Sequence, residues 1–185
     1  MKMANDVTNY ITIEGNEAAQ LEFARLSGAI NINKHENLEV ADVLWNGDFD
    51  NHINWTIDNI GAKWCVVEEV YEDYWILTSA WHKVDGIQDK LYEHLSKFDE
   101  DILVRMFYED ENPDFTGIRI CYRDEYIDEC EEDGLYEELE QVAEEAGEGV
   151  WEDAFRERLE EIHEMIEQVI GEEISYLKGE EIIND

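Results

Sequence analysis

Residues 64–80, WCVVEEVYEDYWILTSA, decide the fold. Trp64–Tyr71 and Tyr74–Ala80 are short runs of β-branched and aromatic residues separated by Glu72-Asp73, which predicts two strands joined by a turn. Before them, Val7, Asn9, Ile11 and Ile13 alternate with Thr8, Tyr10 and Thr12, the period of a strand. Gly15-Asn16 breaks the chain there. Asn16 is placed to cap a helix to about Ser27, with Ala18, Leu21, Ala24, Arg25 and Leu26 at helical spacing. Residues 28–53, rich in Asn and Gly, read as a long connection or insertion. After the hairpin, Asp85-Gly86 is a break, Ile87–Lys97 repeats Ile87, Leu91 and Leu95 at helical spacing, and Ile102–Tyr108 is a dense apolar strand. Glu111–Asp114 turns around the single proline, and Ile118–Tyr122 is a short final strand.

The order β-α-β-β-α-β defines an α+β fold of ferredoxin-like topology, a split βαβ sheet with two helices on one face. The name concerns topology alone. Three cysteines, Cys65, Cys121 and Cys130, cannot supply an iron–sulfur cluster with four ligands. They contain no CxxC and read as reduced thiols of a cytoplasmic protein. No run of about 18 apolar residues predicts a membrane span, and Met1–Asp6 leads into a strand, not a signal peptide.

Charge divides the chain. The 185 residues hold 49 acids against 13 Lys and Arg, a formal net charge of −36. Residues 1–123 carry 24 acids and 10 bases, and residues 124–185 carry 25 acids and 3 bases. The shift near Tyr122–Asp124 divides an α+β domain, 1–123, from an acidic helical extension, 124–185. In the extension, Leu135, Leu139, Val142 and Ala146 mark one helix, and Gly147 and Gly149 interrupt it. A second helix starts near Val150-Trp151. Its narrow apolar seam, Phe155, Leu159, Ile162, Ile166 and Val169, suits docking on the open sheet face or on a second copy of the chain.

Three segments of the first domain carry a family resemblance. They are Asn5-Asp6-Val7-Thr8-Asn9-Tyr10-Ile11-Thr12-Ile13, then Trp55-Thr56-Ile57-Asp58-Asn59-Ile60-Gly61-Ala62-Lys63-Trp64, then Tyr108-Glu109-Asp110-Glu111 with Asp114-Phe115-Thr116-Gly117. The chain over residues 5–122 resembles the phage- and plasmid-borne Api92-like proteins and the YubB group. The second segment matches their N-x-G-[TA]-K-W signature, and Asp110 departs from the Glu of their ending. The resemblance implies a ferredoxin-like domain and a mobile-element origin, and it brings no catalytic residues. Asn59, Gly61, Lys63, Trp64, Phe115 and Gly117 are expected to be structural, with Trp64 in the core and Gly61 and Gly117 in tight turns.

Catalytic chemistry has no footing. His35, His52, His82, His94 and His163 are scattered, and no nucleophile elbow, P-loop or dinucleotide loop occurs. No enzyme, cofactor or metal site is therefore expected. Asp110-x-Asn112-x-Asp114 begins like a calcium loop, but Phe115 and Cys121 stand where a glycine and a glutamate belong. Glu160-x-x-His163 has di-iron spacing without the second pair such sites need.

The extension carries the signal instead. Sixteen acids lie between Cys130 and Ile170: Glu131, Glu132, Asp133, Glu137, Glu138, Glu140, Glu144, Glu145, Glu148, Glu152, Asp153, Glu157, Glu160, Glu161, Glu164 and Glu167. Only Arg156 and Arg158 oppose them. Over a helical length of about 60 Å this is one net charge per roughly 4–5 Å. A single DNA strand carries one per about 3.4 Å. A surface this acidic excludes direct binding to nucleic acid or to an anionic membrane. It suits a counterfeit of the phosphate backbone, filling the basic groove of a host nucleic-acid-binding protein in the host cytoplasm, as anti-restriction or anti-CRISPR inhibitors of phage do. The alternative is an interaction adaptor that binds through apolar surface, with Trp45, Trp75, Trp81 and Trp151 as its candidates.

Overall fold

The computed structural model describes residues 5–32, 39–47, 53–111, 114–131, 135–146 and 151–179. The chain is an α+β protein built on one six-stranded antiparallel sheet. In order, the elements are β1 (Asp6–Glu14), α1 (Glu17–Ile32), α2 (Glu39–Leu44), α3 (Ile53–Ile60), β2 (Cys65–Val70), β3 (Tyr74–Ala80), α4 (Asp85–Leu95), β4 (Leu103–Asp110), β5 (Thr116–Tyr122), β6 (Glu125–Glu131), α5 (Leu135–Ala146) and α6 (Trp151–Lys178). The strands stand in the order β2-β3-β1-β4-β5-β6.

Period-2 alternation divides the sheet into two faces. Val7, Ile11, Trp75, Leu77, Val104, Met106 and Cys121 point to the first face and pack under α1 to α4. Leu103, Ile118, Ile120, Tyr122 and Ile127 point to the second face and pack under α5 and α6. Asn9 holds the first face in register from inside. It is wholly buried, and its amide donates to the Val7 and Leu77 carbonyls and to Ser79 Oγ, while its oxygen accepts the Val84 N–H at 3.0 Å. One side chain thus ties β1 to β3 and to the entry of α4. Gln88 acts alike from α4, donating to the carbonyls of Val104 and Arg119.

Asn16 caps α1 as expected, its Oδ1 accepting the Ala19 N–H at 3.0 Å. The helix runs past Ser27 to Ile32, and its buried stripe is Ala19, Phe23, Leu26 and Ile30. Of the residues expected there only Leu26 faces inward, because Phe23 stacks flat on Trp75 at 4.8 Å and so fixes the rotation. Leu21 stays exposed. Residues 28–53, expected as a connection or insertion, contain the end of α1 and all of α2, whose Val40, Ala41 and Leu44 join the core.

The composition break at Tyr122–Asp124 falls on the turn between two paired strands. Glu125–Glu131, expected as part of a helical region, is β6, zipped to β5 from Tyr122↔Glu125 to Thr116↔Glu131. Gly61 makes the expected turn, at φ +93°. Gly117 does not. It lies inside β5, where a Cβ would collide with the Tyr108 hydroxyl and the Glu129 carbonyl. Trp64 is 51 % exposed, not in the core, because its strand neighbour Cys65 takes the inward position.

Replacing Asn9 by Leu should lower unfolding free energy by about 3 kcal/mol, since the Val84 N–H and the Ser79 hydroxyl lose buried partners. The check is a urea midpoint that falls with an unchanged slope.

Candidate partner-binding surface

The extension is held by a second hydrophobic core. Leu135 and Leu139 of α5 and Ile162, Ile166 and Ile170 of α6 pack on Leu103, Ile118, Ile120, Tyr122 and Ile127. The seam therefore docks on the sheet. It continues through half-buried Leu159, Ile174 and Leu177. Val169, expected in the seam, is exposed, and Ile170 takes its place at a regular spacing of four. The side chain of Phe155 lies outside the described residues.

Once those positions face inward, helical geometry fixes the rest. Glu137, Glu138, Glu140, Glu144, Glu145, Asp153, Glu157, Glu160, Glu161, Glu164 and Glu167 are all exposed. Glu132, Asp133 and Glu148, and the side chains of Glu131 and Glu152, lie outside the described residues. Asp153, Glu157, Glu160 and Glu164 follow steps of four, three and four along the side of α6 opposite Ile166. They form a carboxylate row about 16 Å long at 1.5 Å per residue.

Few of these charges are neutralised. Arg158 bridges the helices, 2.6 Å from Glu138 of α5 and 2.8 Å from Glu161 of α6. Arg105 of β4 pairs with Glu167 at 2.8 Å. The other eight described acids make no ion pair among the described residues.

His163 lies under α6, edge-on to Phe107 at 4.8 Å, with Nε2 3.0 Å from Thr116 Oγ1 and 3.6 Å from Glu109. Glu160, its partner in the di-iron spacing, is exposed to solvent. His94 faces Glu22 at 2.6 Å, and the hydrogen bond from Arg25 is the main cause that holds Glu22 below the usual carboxylate range. His35 and His52 lie outside the described residues. Asp110, at the start of the calcium-like spacing, accepts hydrogen bonds from the Asn5 amide and the Asp114 N–H, as a turn does. Asn112 lies outside the described residues. Among the described residues no three His, Cys, Asp or Glu are placed to hold a metal ion. Burial pushes the Cys121 thiol up to about 12, and Arg119 beside it pairs with Asp89 at 2.7 Å. No described helix is long and apolar enough to cross a membrane.

Sequence reasoning missed a second surface. On the second face, α5 and α6 cover the β4–β6 half and α6 reaches the end of β1, where Lys178 lies 3.6 Å from Glu14; among the described residues nothing covers the rest of the β2–β3–β1 half. Thr8, Tyr10 and Val66 are exposed there. Tyr71, Tyr74 and Tyr10 form a ladder, with ring centres 4.8 and 5.2 Å apart. At the other end, Trp64 lies 6.1 Å from Trp81. Of the tryptophans weighed for an apolar contact, Trp75 is buried, Trp45 is half-buried against Trp55, and Trp81 is exposed. The side chain of Trp151 lies outside the described residues. The signal was present in the alternation itself, since Thr8, Tyr10 and Thr12 face away from Val7, Asn9 and Ile11.

Comparison with family models, with curated proteins and with solved structures finds no match for the chain.

Two outcomes test this geometry. Ile166→Ala should cost about 2–4 kcal/mol by opening a cavity under α6, seen as a lowered melting temperature. Burial also pushes His163 below its ordinary value, against the charges of Glu167 and Glu160. The folded state therefore holds it neutral, and the unfolded chain binds a proton first. Stability from this group is intact above about pH 6.5 and is lost as pH falls toward the lowered value. Glu109, raised by burial and by Asp110, has the opposite sign, regaining stability as pH falls through its raised value. Between about pH 8 and about pH 5.5 the wild type should lose melting temperature relative to His163→Gln.

Proposed function

We propose that the protein is a polyanion mimic of phage or plasmid type, which occupies the basic nucleic-acid groove of a host defence or DNA-processing protein in the host cytoplasm. The observation that carries this reading is the outward carboxylate row of α6 with its neighbours on α5, eight described acids without an ion pair. A row on one rigid helix is pre-organised. A positive groove that meets it gains charge–charge contact without ordering a flexible tail. The inhibitor would act by stoichiometric occupation and without turnover.

Within this proposal, β1 to β4 with α1 and α4 form a ferredoxin-like split βαβ core. The order β2-β3-β1-β4 is that of the motif, and the β5–β6 hairpin widens the sheet to seat α6. The Api92-like resemblance of residues 5–122 supplies the mobile-element setting.

One observation favours a second reading. The open half-face with Trp64, Trp81, Tyr10 and Tyr71 is the kind of exposed aromatic surface that adaptors use. Ionic strength separates the two, since groove occupation weakens steeply with salt and an apolar contact barely changes.

The test is capture of binding proteins from host lysate at low salt, identification of those eluted as salt rises, and titration of the leading protein with a variant carrying Glu140→Lys, Glu144→Lys, Glu157→Lys and Glu160→Lys. All four side chains are exposed, so the fold should survive. Affinity should fall by about a hundredfold or more. Undiminished affinity sinks polyanion mimicry.

A further inference from the structure

The open half-face has a chemistry distinct from that of the acidic row beside it. Its Tyr rings overlap at a tilt, 37° between Tyr71 and Tyr74 and 33° between Tyr74 and Tyr10, so the row ends on the outer faces of Tyr71 and Tyr10. Tyr74 is half-buried, and Tyr10 and Tyr71 are exposed. Glu69 stands in one cross-strand row with Ile76 and Tyr10 on this face, and Asp73 lies at the hairpin turn on the α1 side. Burial, then the charges of Tyr71, Glu69, Tyr10 and Asp73, raise the Tyr74 phenol. Neither acid makes an ion pair among the described residues.

The two ends of the face differ in their cations. At the far end, the Lys63 ammonium lies over Trp64 at 4.5 Å and Trp81 at 5.0 Å from the ring centres, so the tryptophan pair has its cation. No cation of the described residues stands over Tyr10, Tyr71 or Tyr74. A cavity of about 410 Å³ joins this face to α6, lined by Tyr10, Thr12, Arg105, Phe107, His163 and Glu167. Within it a guanidinium, Arg105, pairs with a carboxylate, Glu167. The unfilled rings with the unpaired Glu69 beside them are the complement of one more cation of planar form. Guanidinium stacks on aromatic faces and pairs with carboxylates in the same pose, whereas ammonium is a compact, strongly hydrated point charge.

We infer that the open half-face is an arginine-binding surface: an extended arginine-bearing segment of the basic partner lies across β2, β3 and β1, its guanidinium groups stacked on the tyrosine row at Tyr10 and directed at Glu69. Charge selects this occupant. A nucleic acid strand, which would also stack, is repelled by a chain of net charge −36. A second copy brings the same acids against themselves.

The inference rests on the proposed basic partner, and the two fail separately. The probes are hexa-arginine and hexa-lysine peptides of equal length and charge, titrated by calorimetry at physiological salt into the full chain. The arginine peptide should bind about tenfold more tightly. The double variant Tyr10→Leu, Tyr74→Leu keeps net charge and should bring the two peptides to equal affinity. Thr8→Lys, an exposed change on the same face, should weaken the arginine peptide selectively. The four-acid reversal on α5 and α6 should weaken both peptides alike and leave the ratio standing. Equal affinity of the two peptides for the wild type, or an arginine preference that survives both surface variants, overturns the arginine surface while leaving the acidic row to its own test. A wild type that dimerises in sedimentation, with the dimer lost in Thr8→Lys, overturns it in favour of a second copy.

Discussion

The docking of α6 on the sheet is the contact on which the rest of the extension depends. Ile162, Ile166 and Ile170 are almost fully buried, and each buried side chain of this size contributes roughly 1.5–3 kcal/mol. The acids on the other side oppose this only weakly. Like charges one turn apart, such as Glu140/Glu144, Glu157/Glu161 and Glu160/Glu164, cost a few tenths of a kcal/mol per pair. Arg158 offsets part of that cost by joining Glu138 to Glu161 across the two helices. A detached helix of this composition would be marginal. A docked one tolerates dense charge, because its stability comes from the face that solvent does not see.

That docking needs a platform, and the β5–β6 hairpin provides it. Four strands already satisfy α1 and α4 on the first face. The two additional strands extend the sheet sideways, so the apolar groups of β4, β5 and β6 form one continuous floor. The described helices cover that floor and reach only the margin of β1, through Lys178 and Glu14. An antiparallel sheet with one face half clad is the direct result, and the bare half carries the tyrosine ladder. Buried polar groups keep this wide sheet in register. Asn9 locks β1 to β3, and Gln88 links α4 to β4 and β5.

Legibility in the sequence followed the strength of the local period. β1, β3, α4 and β4 alternate or repeat cleanly, and each stands where its pattern places it; β2 was legible from its apolar content although a bulge between Val67 and Glu69 breaks its alternation. β6 was illegible because its seven residues hold four acids and one consistently buried apolar group, Ile127, so composition outweighed alternation. Its strand state comes from pairing with a fully buried neighbour, which no local pattern records. The face of α1 was misplaced for a related reason. Leu21 and Phe23 compete for the core, and only the stacking of Phe23 on Trp75, far along the chain, decides between them. The exposed acids of α5 and α6 were legible as a surface. Their division into paired and unpaired groups was not, since Arg105 reaches Glu167 from a distant strand. The open half-face was hidden because a sequence shows which side of a strand is polar, but not how far a docked helix extends over it.

The two surfaces divide the work of association in the proposed complex. A field from a net charge of −36 reaches a partner before contact, but at physiological salt it decays over about 8 Å. It therefore acts mostly on the rate of encounter, and it draws any polycation without discrimination. Retention and choice require contacts that a generic polycation does not satisfy, which in most interfaces come from a few desolvated aromatic or arginine anchors. An acidic row alone would exchange rapidly among all basic proteins of a cell. An aromatic ladder alone would find its target slowly. In the proposed complex the row would supply speed and the ladder residence, and a partner would have to offer both a positive groove and an arginine-bearing segment to be held.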